Sequence, residues 1–186
     1  TTTIEVGALS VYVKNYTSIS ITGTGKLTFS NPALTGTAII LNSQAAVVLT
    51  STAKGADTTT LGCIDVSGMG AQKEAANNGR SSNIFIIKTN GGVRGVSGGA
   101  GGAVYTFNLA QFSAQQTRYQ TMFCGAAGGP GDGSVQGVGG SGGGVLAFEC
   151  AGDFNFPATA GIYARGIIGG DGTAPNGAGG GAGVDG

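Results

Sequence analysis

Gly125-Ala126-Ala127-Gly128-Gly129-Pro130-Gly131-Asp132-Gly133-Ser134-Val135-Gln136-Gly137-Val138-Gly139-Gly140-Ser141-Gly142-Gly143-Gly144 runs directly into Val145-Leu146-Ala147-Phe148. The reading of that junction decides the fold. Glycine at this density buries no side chains, so the segment is either disordered or held by backbone packed on backbone. Nine of the chain's 39 glycines lie in residues 1–90, which leaves 30 in residues 91–186. They gather into three runs, Gly91–Gly102, Gly125–Gly144 and Gly166–Gly186, interleaved with apolar stretches. Those stretches are Ile84-Phe85-Ile86-Ile87, Val104-Tyr105-Thr106-Phe107, Val145–Phe148 and Ile162-Tyr163 through Ile168. A Gly/Ser linker joins domains and is not threaded between core-forming strands. The interleaving therefore predicts that each run returns to the same body of protein.

Composition supports order. Nine Lys/Arg balance nine Asp/Glu, and charged residues make up 10% of the 186. Disorder usually combines low hydrophobicity with high net charge, and this chain has neither. No cluster of Lys or Arg forms a basic face, which argues against a nucleic-acid partner. No apolar stretch approaches the roughly 18 residues of a membrane helix, so membrane insertion is not expected. The start Thr1-Thr2-Thr3-Ile4-Glu5-Val6 lacks the basic and apolar regions of a signal peptide, and an initial Thr suggests processing. With no His, Ser-His-Asp and Cys-His catalysis in one chain is excluded. Glu149 and Asp153, four residues apart, are the closest approach to a paired-carboxylate site, and they read as solvated neighbours. The expectation is a protein that is not an enzyme and takes no cofactor or metal.

Residues 1–66 read as strands. Val11 and Val13, Ile19 and Ile21, Leu27 and Phe29 alternate with polar residues at a period of two. Ala38-Ile39-Ile40-Leu41 and Ala46-Val47-Val48-Leu49 are continuous apolar runs, suited to strands covered on both faces. Gly7, Thr22-Gly23-Thr24-Gly25, Asn31-Pro32, Asn42-Ser43 and Lys54-Gly55 punctuate them as turns. Two architectures suit this rhythm, a β-sandwich or a short parallel β-solenoid. The organisation expected is a β-rich region over 1–90, with a glycine-rich region over 91–186 packed on it. Within the second region, Asn108 caps a helix that places Leu109, Phe112, Tyr119 and Phe123 on one face. Ala71–Asn78 supplies one more turn.

The runs lack glycine at every third residue, and four prolines are too few for collagen. Matches to G-x-G-x-x-G are unavoidable in such composition, and Leu27 after Gly25-Lys26 lacks the hydroxyl a P-loop needs. Asp132 and Asp171 sit in Gly-Asp-Gly turns. Their spacing departs from the calcium-binding nonapeptide, so ordinary turns are the expectation. Ordered polyglycine remains. An extended three-residues-per-turn helix points its amides and carbonyls outward, where neighbouring strands meet them if no Cβ intervenes. The predicted fold class is all-β, with the glycine runs as a polyglycine-II-like bundle interleaved with short strands. Cys63, Cys124 and Cys150 have no CxxC spacing and read as small buried residues. A Cys124–Cys150 disulfide closing the loop that carries the central run is the alternative.

The run Gly125–Gly144 resembles the polyglycine-II bundles of T-even-like phage tail-fibre tip adhesins and of springtail antifreeze proteins. It departs from the latter, which have regular thirds and several disulfides. In texture the chain is similar to glycine-rich surface proteins of bacteria. There, strand segments like Ile64-Asp65-Val66-Ser67-Gly68-Met69-Gly70 alternate with stretches like Gly139–Phe148 and Ala164-Arg165-Gly166-Ile167-Ile168-Gly169-Gly170-Asp171-Gly172. The resemblance implies a place outside the cell, at a cell or virion surface, in adhesion or surface structure. Low charge favours association of copies, so the expected function is a self-assembling subunit of a surface filament or layer. The partners expected are copies of itself and a cell-surface molecule. Thr3, Ile4, Val6, Val11 and Val13, in the Thr-rich first segment, form the candidate strand for donation to a neighbour. The alternative is a receptor-binding fibre tip, with Tyr105, Tyr119, Phe154 and Phe156 as contacts.

Overall fold

Alternating and continuous apolar segments become strands, and the register between them is what builds the molecule. The computed structural model describes residues 1–53, 62–73, 79–82, 90–92, 95, 99, 101–102, 124–131, 137–158 and 160–170. The strands are β1 (Thr2–Glu5), β2 (Val11–Tyr16), β3 (Ile19–Ile21), β4 (Leu27–Ser30) and β5 (Ala38–Ser43). They continue as β6 (Val47–Leu49), β7 (Ile64–Asp65), β8 (Val145–Cys150), β9 (Phe154–Asn155) and β10 (Ile162–Tyr163). Three sheets result, ordered β1-β4-β7-β10 (sheet A), β2-β5-β8 (sheet B) and β3-β6-β9 (sheet C). Every strand pair is parallel. Successive strands visit A, B and C in turn, so the chain winds as a β-solenoid. The sandwich alternative falls, because its tight turns would give antiparallel neighbours. Among the described residues there is no helix, and the helix expected at 108–123 lies outside them.

Stacked turns fix the winding. Thr2 pairs with Leu27, Val11 with Ala38 and Ile19 with Val47, so one coil takes 25 to 28 residues. At the corner between sheets A and B, Ala8 and Asn31 both adopt φ near 58°. The Ala8 amide donates to the Asn31 carbonyl across 2.8 Å, so one left-handed turn sits on the next.

The interior is filled by columns of in-register side chains. One column is Tyr12–Ile39–Leu146, another Ile19–Val47–Phe154, a third Thr2–Leu27–Ile64–Ile162. Ile39, Leu41, Val47, Leu49, Ile64 and Val66 are fully buried. Each such side chain contributes about 1.5–3 kcal/mol. Ala38 and Ile40 on the opposite face of β5 are buried too, as the continuous apolar run predicts.

Between β7 and β8 the chain leaves the coil and later re-enters it in register. Residues 124–131 on this excursion are buried throughout, and 139–144 likewise. The Gly92 amide donates to the Ala127 carbonyl (2.9 Å), and the Ala127 amide to the Arg80 carbonyl (3.0 Å). The Ala71 amide donates to the Gly125 carbonyl (3.0 Å), the Gly125 amide to Gly143 (2.8 Å) and the Gly128 amide to Gly140 (2.9 Å). Residues 124–131 therefore bond to four other stretches of chain, where a strand in a sheet has two neighbours. Side chains are shut out: a Cβ on Gly139 would collide with the Gly128 carbonyl oxygen, and one on Gly142 with that of Gly125. After β10 the chain returns to this layer, with Ile167 donating to Ser141 (2.7 Å) and Gly170 to Val138 (2.8 Å).

The division expected at residue 90 is not a spatial one. β8, β9 and β10 pair with β5, β6 and β7, so late residues complete sheets that early residues begin.

Candidate assembly surfaces

A solenoid exposes two ends, and here both are unusual. β1, β2 and β3 stand first in their sheets, and β10, β8 and β9 stand last. The candidate donor residues fall on the first coil. Ile4 on β1 and Val11 on β2 are half-buried, Thr3 is exposed, Val6 is buried, and Val13 is 50% exposed. They are already paired at home: Thr3 with Thr28 and Ile4 with Phe29 in sheet A, Val11 with Ala38 and Val13 with Ile40 in sheet B. The Thr3 and Thr28 hydroxyls also share a 2.8 Å hydrogen bond. The segment is thus an integral coil, and its unpaired outer edge is what it can offer a neighbour.

At this first end the core is incomplete. Lys14 holds the column position occupied by Leu41 in the second coil and Phe148 in the third. An ammonium group cannot enter an apolar interior without a partner, and Lys14 stays exposed. A cavity of about 410 Å³ opens here, with Ile19, Ile21, Leu27 and Leu41 as its apolar wall and Ser18 and Ser20 at its margin. Burial raises the pKa of the Tyr16 phenol on the same lining, and the nearby Tyr12 adds to the rise.

The last end is aromatic. Phe148 and Phe154 occupy core-facing positions above Leu41 and Val47. Their ring centroids lie 5.1 Å apart, and Phe156 continues the cluster 6.2 Å from Phe154. No further coil covers them among the described residues, and Phe154 and Phe156 are each 43% exposed. Asp153, beside them in sequence, is also exposed. Of the aromatics expected to contact a receptor, these two are placed at this end, while Tyr105 and Tyr119 lie outside the described residues. Lys14 and Phe148 escaped notice in the sequence because only the register shows that they share a column.

The outer face of sheet A carries the one ion pair found among the described residues, Lys26 Nζ to Asp65 Oδ2 at 3.2 Å. Burial alone would raise the Asp65 pKa. Hydrogen bonds from Ser67, together with Lys26, outweigh it and hold the carboxyl below its usual value. Arg165 lies over the Tyr163 ring at 4.3 Å, a cation–π contact on the same face. Farther along β8, Glu149 aligns with Asn42 and Asn15, and the Asn42 side-chain amide donates to Asn15 Oδ1 at 2.8 Å. Glu149 and Asp153 therefore lie on a strand face and at a turn. Among the described residues no three His, Cys, Asp or Glu side chains group as metal ligands, and Asp132 and Asp171 lie outside them.

The proposed disulfide is absent: Cys63, Cys124 and Cys150 are all free. Cys124 donates its thiol to the Thr37 carbonyl at 3.5 Å, next to the start of β5, whereas Cys150 pairs with Ser43 at its end. Six strand residues, roughly 20 Å, separate those points, and a bridge needs Cα atoms within about 7 Å. Burial pushes the Cys124 thiol up to about 12 and raises Cys63 as well, which leaves both as unreactive packing groups.

No helix among the described residues is long and apolar enough to cross a membrane. Compared with protein-family models, with curated proteins and with solved structures, the chain finds no match.

Proposed function

We propose that this protein is an extracellular structural subunit that assembles with copies of itself into a surface filament or layer. Its body is a β-solenoid with a polyglycine-II-like bundle packed against it. The observation that carries this reading is the buried segment 124–131, whose amides and carbonyls bond to four separate stretches of backbone. Glycine loses more freedom on ordering than any other residue. A chain that orders so much of it gains stiffness in directions a single sheet leaves soft. A layer made mostly of glycine offers few groups for chemistry, and this reading assigns its use to the shape of the body and to its ends. The likeness in rhythm to glycine-rich bacterial surface proteins supports an extracellular place, and zero net charge leaves little repulsion between copies.

Hydrogen exchange and electron microscopy test it together. Amides of 125–129, 131 and 139–144 are expected to exchange as slowly as those of β5, and micrographs to show fibres or sheets. Random-coil NMR signals from those glycines would remove the bundle. Discrete particles at every concentration would remove self-assembly and favour the receptor-binding tip.

A further inference from the structure

We infer that copies stack head to tail, the aromatic last coil of one closing the open first coil of the next. The inference rests on the self-assembly reading above and names its interface. Three features of the two ends match. The first coil is open, with a cavity of about 410 Å³ in which Ile19, Ile21, Leu27 and Leu41 stand among polar neighbours such as Thr22 and Lys26, so apolar side chains there lack the covering coil that a second copy would supply. The last coil presents Phe154 and Phe156, both 43% exposed, with Phe154 against Phe148 and Phe156 against Phe154. Lys14, exposed on the first coil, and Asp153, exposed on the last, bring opposite charges to the two faces. An ammonium over a desolvated aromatic face is also attracted by the ring itself. Inward charge on an edge strand normally deters pairing with arbitrary strands. Here it restricts the partner to one with rings and a carboxylate in the right place.

Topology fixes how the copies meet. Sheet A has four strands and the others three, so the end is a step and the next place in the winding lies over β8. An incoming β1 takes that place, β2 lies over β9 and β3 over β10. This continues the solenoid with each copy turned by about a third of a turn. It also brings β2, the strand that carries Lys14, over β9, the strand that carries Phe154. Ten strands shared among three sheets at a strand spacing of about 4.8 Å give a rise of about 16 Å per copy. The contact is heterologous, joining two different patches, so it propagates into an open filament.

The test uses two variants that alter side chains at the ends of the solenoid, Phe154→Ser/Phe156→Ser at the last coil and Lys14→Glu at the first. Circular dichroism confirms that each is folded. Sedimentation of wild-type chain should show association that grows with concentration, and cryo-electron microscopy a filament rise near 16 Å. Each variant alone should associate about 30-fold or more weakly, the loss expected from an aromatic or charged hot spot. The two variants mixed should form a one-to-one pair through the intact first coil of one and the intact last coil of the other, and should stop there. If wild type associates while both variants do so undiminished, or the rise differs, this interface is overturned and the self-assembly reading survives. If wild type stays monomeric throughout, both fall together.

Discussion

Ile39 is held by the side chains of Tyr12 and Leu146, stacked on either side of it at strand spacing. Gly142 lies against Gly125 with nothing between them but main chain. These two positions stand for the two halves of the molecule's cohesion. In the coils, burial of apolar area is the driving term, and it is forgiving of shape provided volume is conserved. In the glycine layer the driving term is hydrogen bonding between extended backbones, each bond contributing about 0.5–1.5 kcal/mol net. That term tolerates no added atom. The two regions should therefore answer opposite kinds of substitution.

The sharpest separation comes from adding one methyl group. Gly142→Ala places a Cβ against the Gly125 carbonyl oxygen and carbon. Backbone cannot swing aside as a side chain can, so the expected loss is about 4 kcal/mol, among the large single-substitution effects. The urea midpoint measures it. Gly23→Ala provides the control: its Cβ meets nothing within 4 Å and the strain is only that of φ +60°, about 1 kcal/mol. Equal midpoints for the two variants would mean that the glycine layer is not packed backbone to backbone.

The coils give the converse result. Leu41→Ala removes a fully buried side chain from the column it shares with Phe148 and should cost about 2–5 kcal/mol through lost transfer energy and a cavity. Leu41→Met keeps the volume and should cost less than about 1.5 kcal/mol. A glycine-layer position has no conservative partner of this kind.

The same contrast explains how much could be read from the sequence. The strands were legible because their apolar period is local: Ile19 and Ile21 bracket Ser20, and Ala38 to Leu41 is continuous. The order of the strands was not. Nothing near Val145 reveals that it follows Ala38 in a sheet 107 residues later, because period two is shared by parallel and antiparallel strands alike. That is why sandwich and solenoid remained level. Composition made backbone packing of the central glycine run the favoured alternative to disorder, whereas the partners that 124–131 find at Arg80 and Gly92 were not legible, since glycine carries no side chain to mark a contact. The disulfide failed for a similar reason. Cys124 and Cys150 flank a glycine run in sequence, but Gly143 returns beside Gly125 and β8 then carries Cys150 the length of β5 away. At the ends of the solenoid, Phe154 and Phe156 stood out as aromatics, while Lys14 looked like an ordinary polar position of an alternating strand. Only the register puts a charge where the neighbouring coils have Leu41 and Phe148.

The smallest expected effect lies on the outer face of sheet A, where one ion pair ties neighbouring coils together. Lys26 and Asp65, each 16% exposed, bridge the approach to β4 and the end of β7. The Asp65 carboxyl is held below its usual value, so the folded chain binds that proton less readily than the unfolded chain does. Its contribution to stability is present in full above the unfolded value of about 3.9 and is lost as pH falls through the lower folded value. A pair this near the surface contributes about 1 kcal/mol or less. Asp65→Asn should accordingly lower the urea midpoint slightly at pH 7, less than any of the substitutions above. The gap from wild type should shrink as acid protonates Asp65, and 1 M salt should narrow it only in part, because salt screens the Lys26 charge more than it weakens the hydrogen bonds from Ser67. A gap that stayed constant through the acid range would assign the effect to packing in the turn, and the coils would then be joined on this face, as in the glycine layer, by neutral contacts alone.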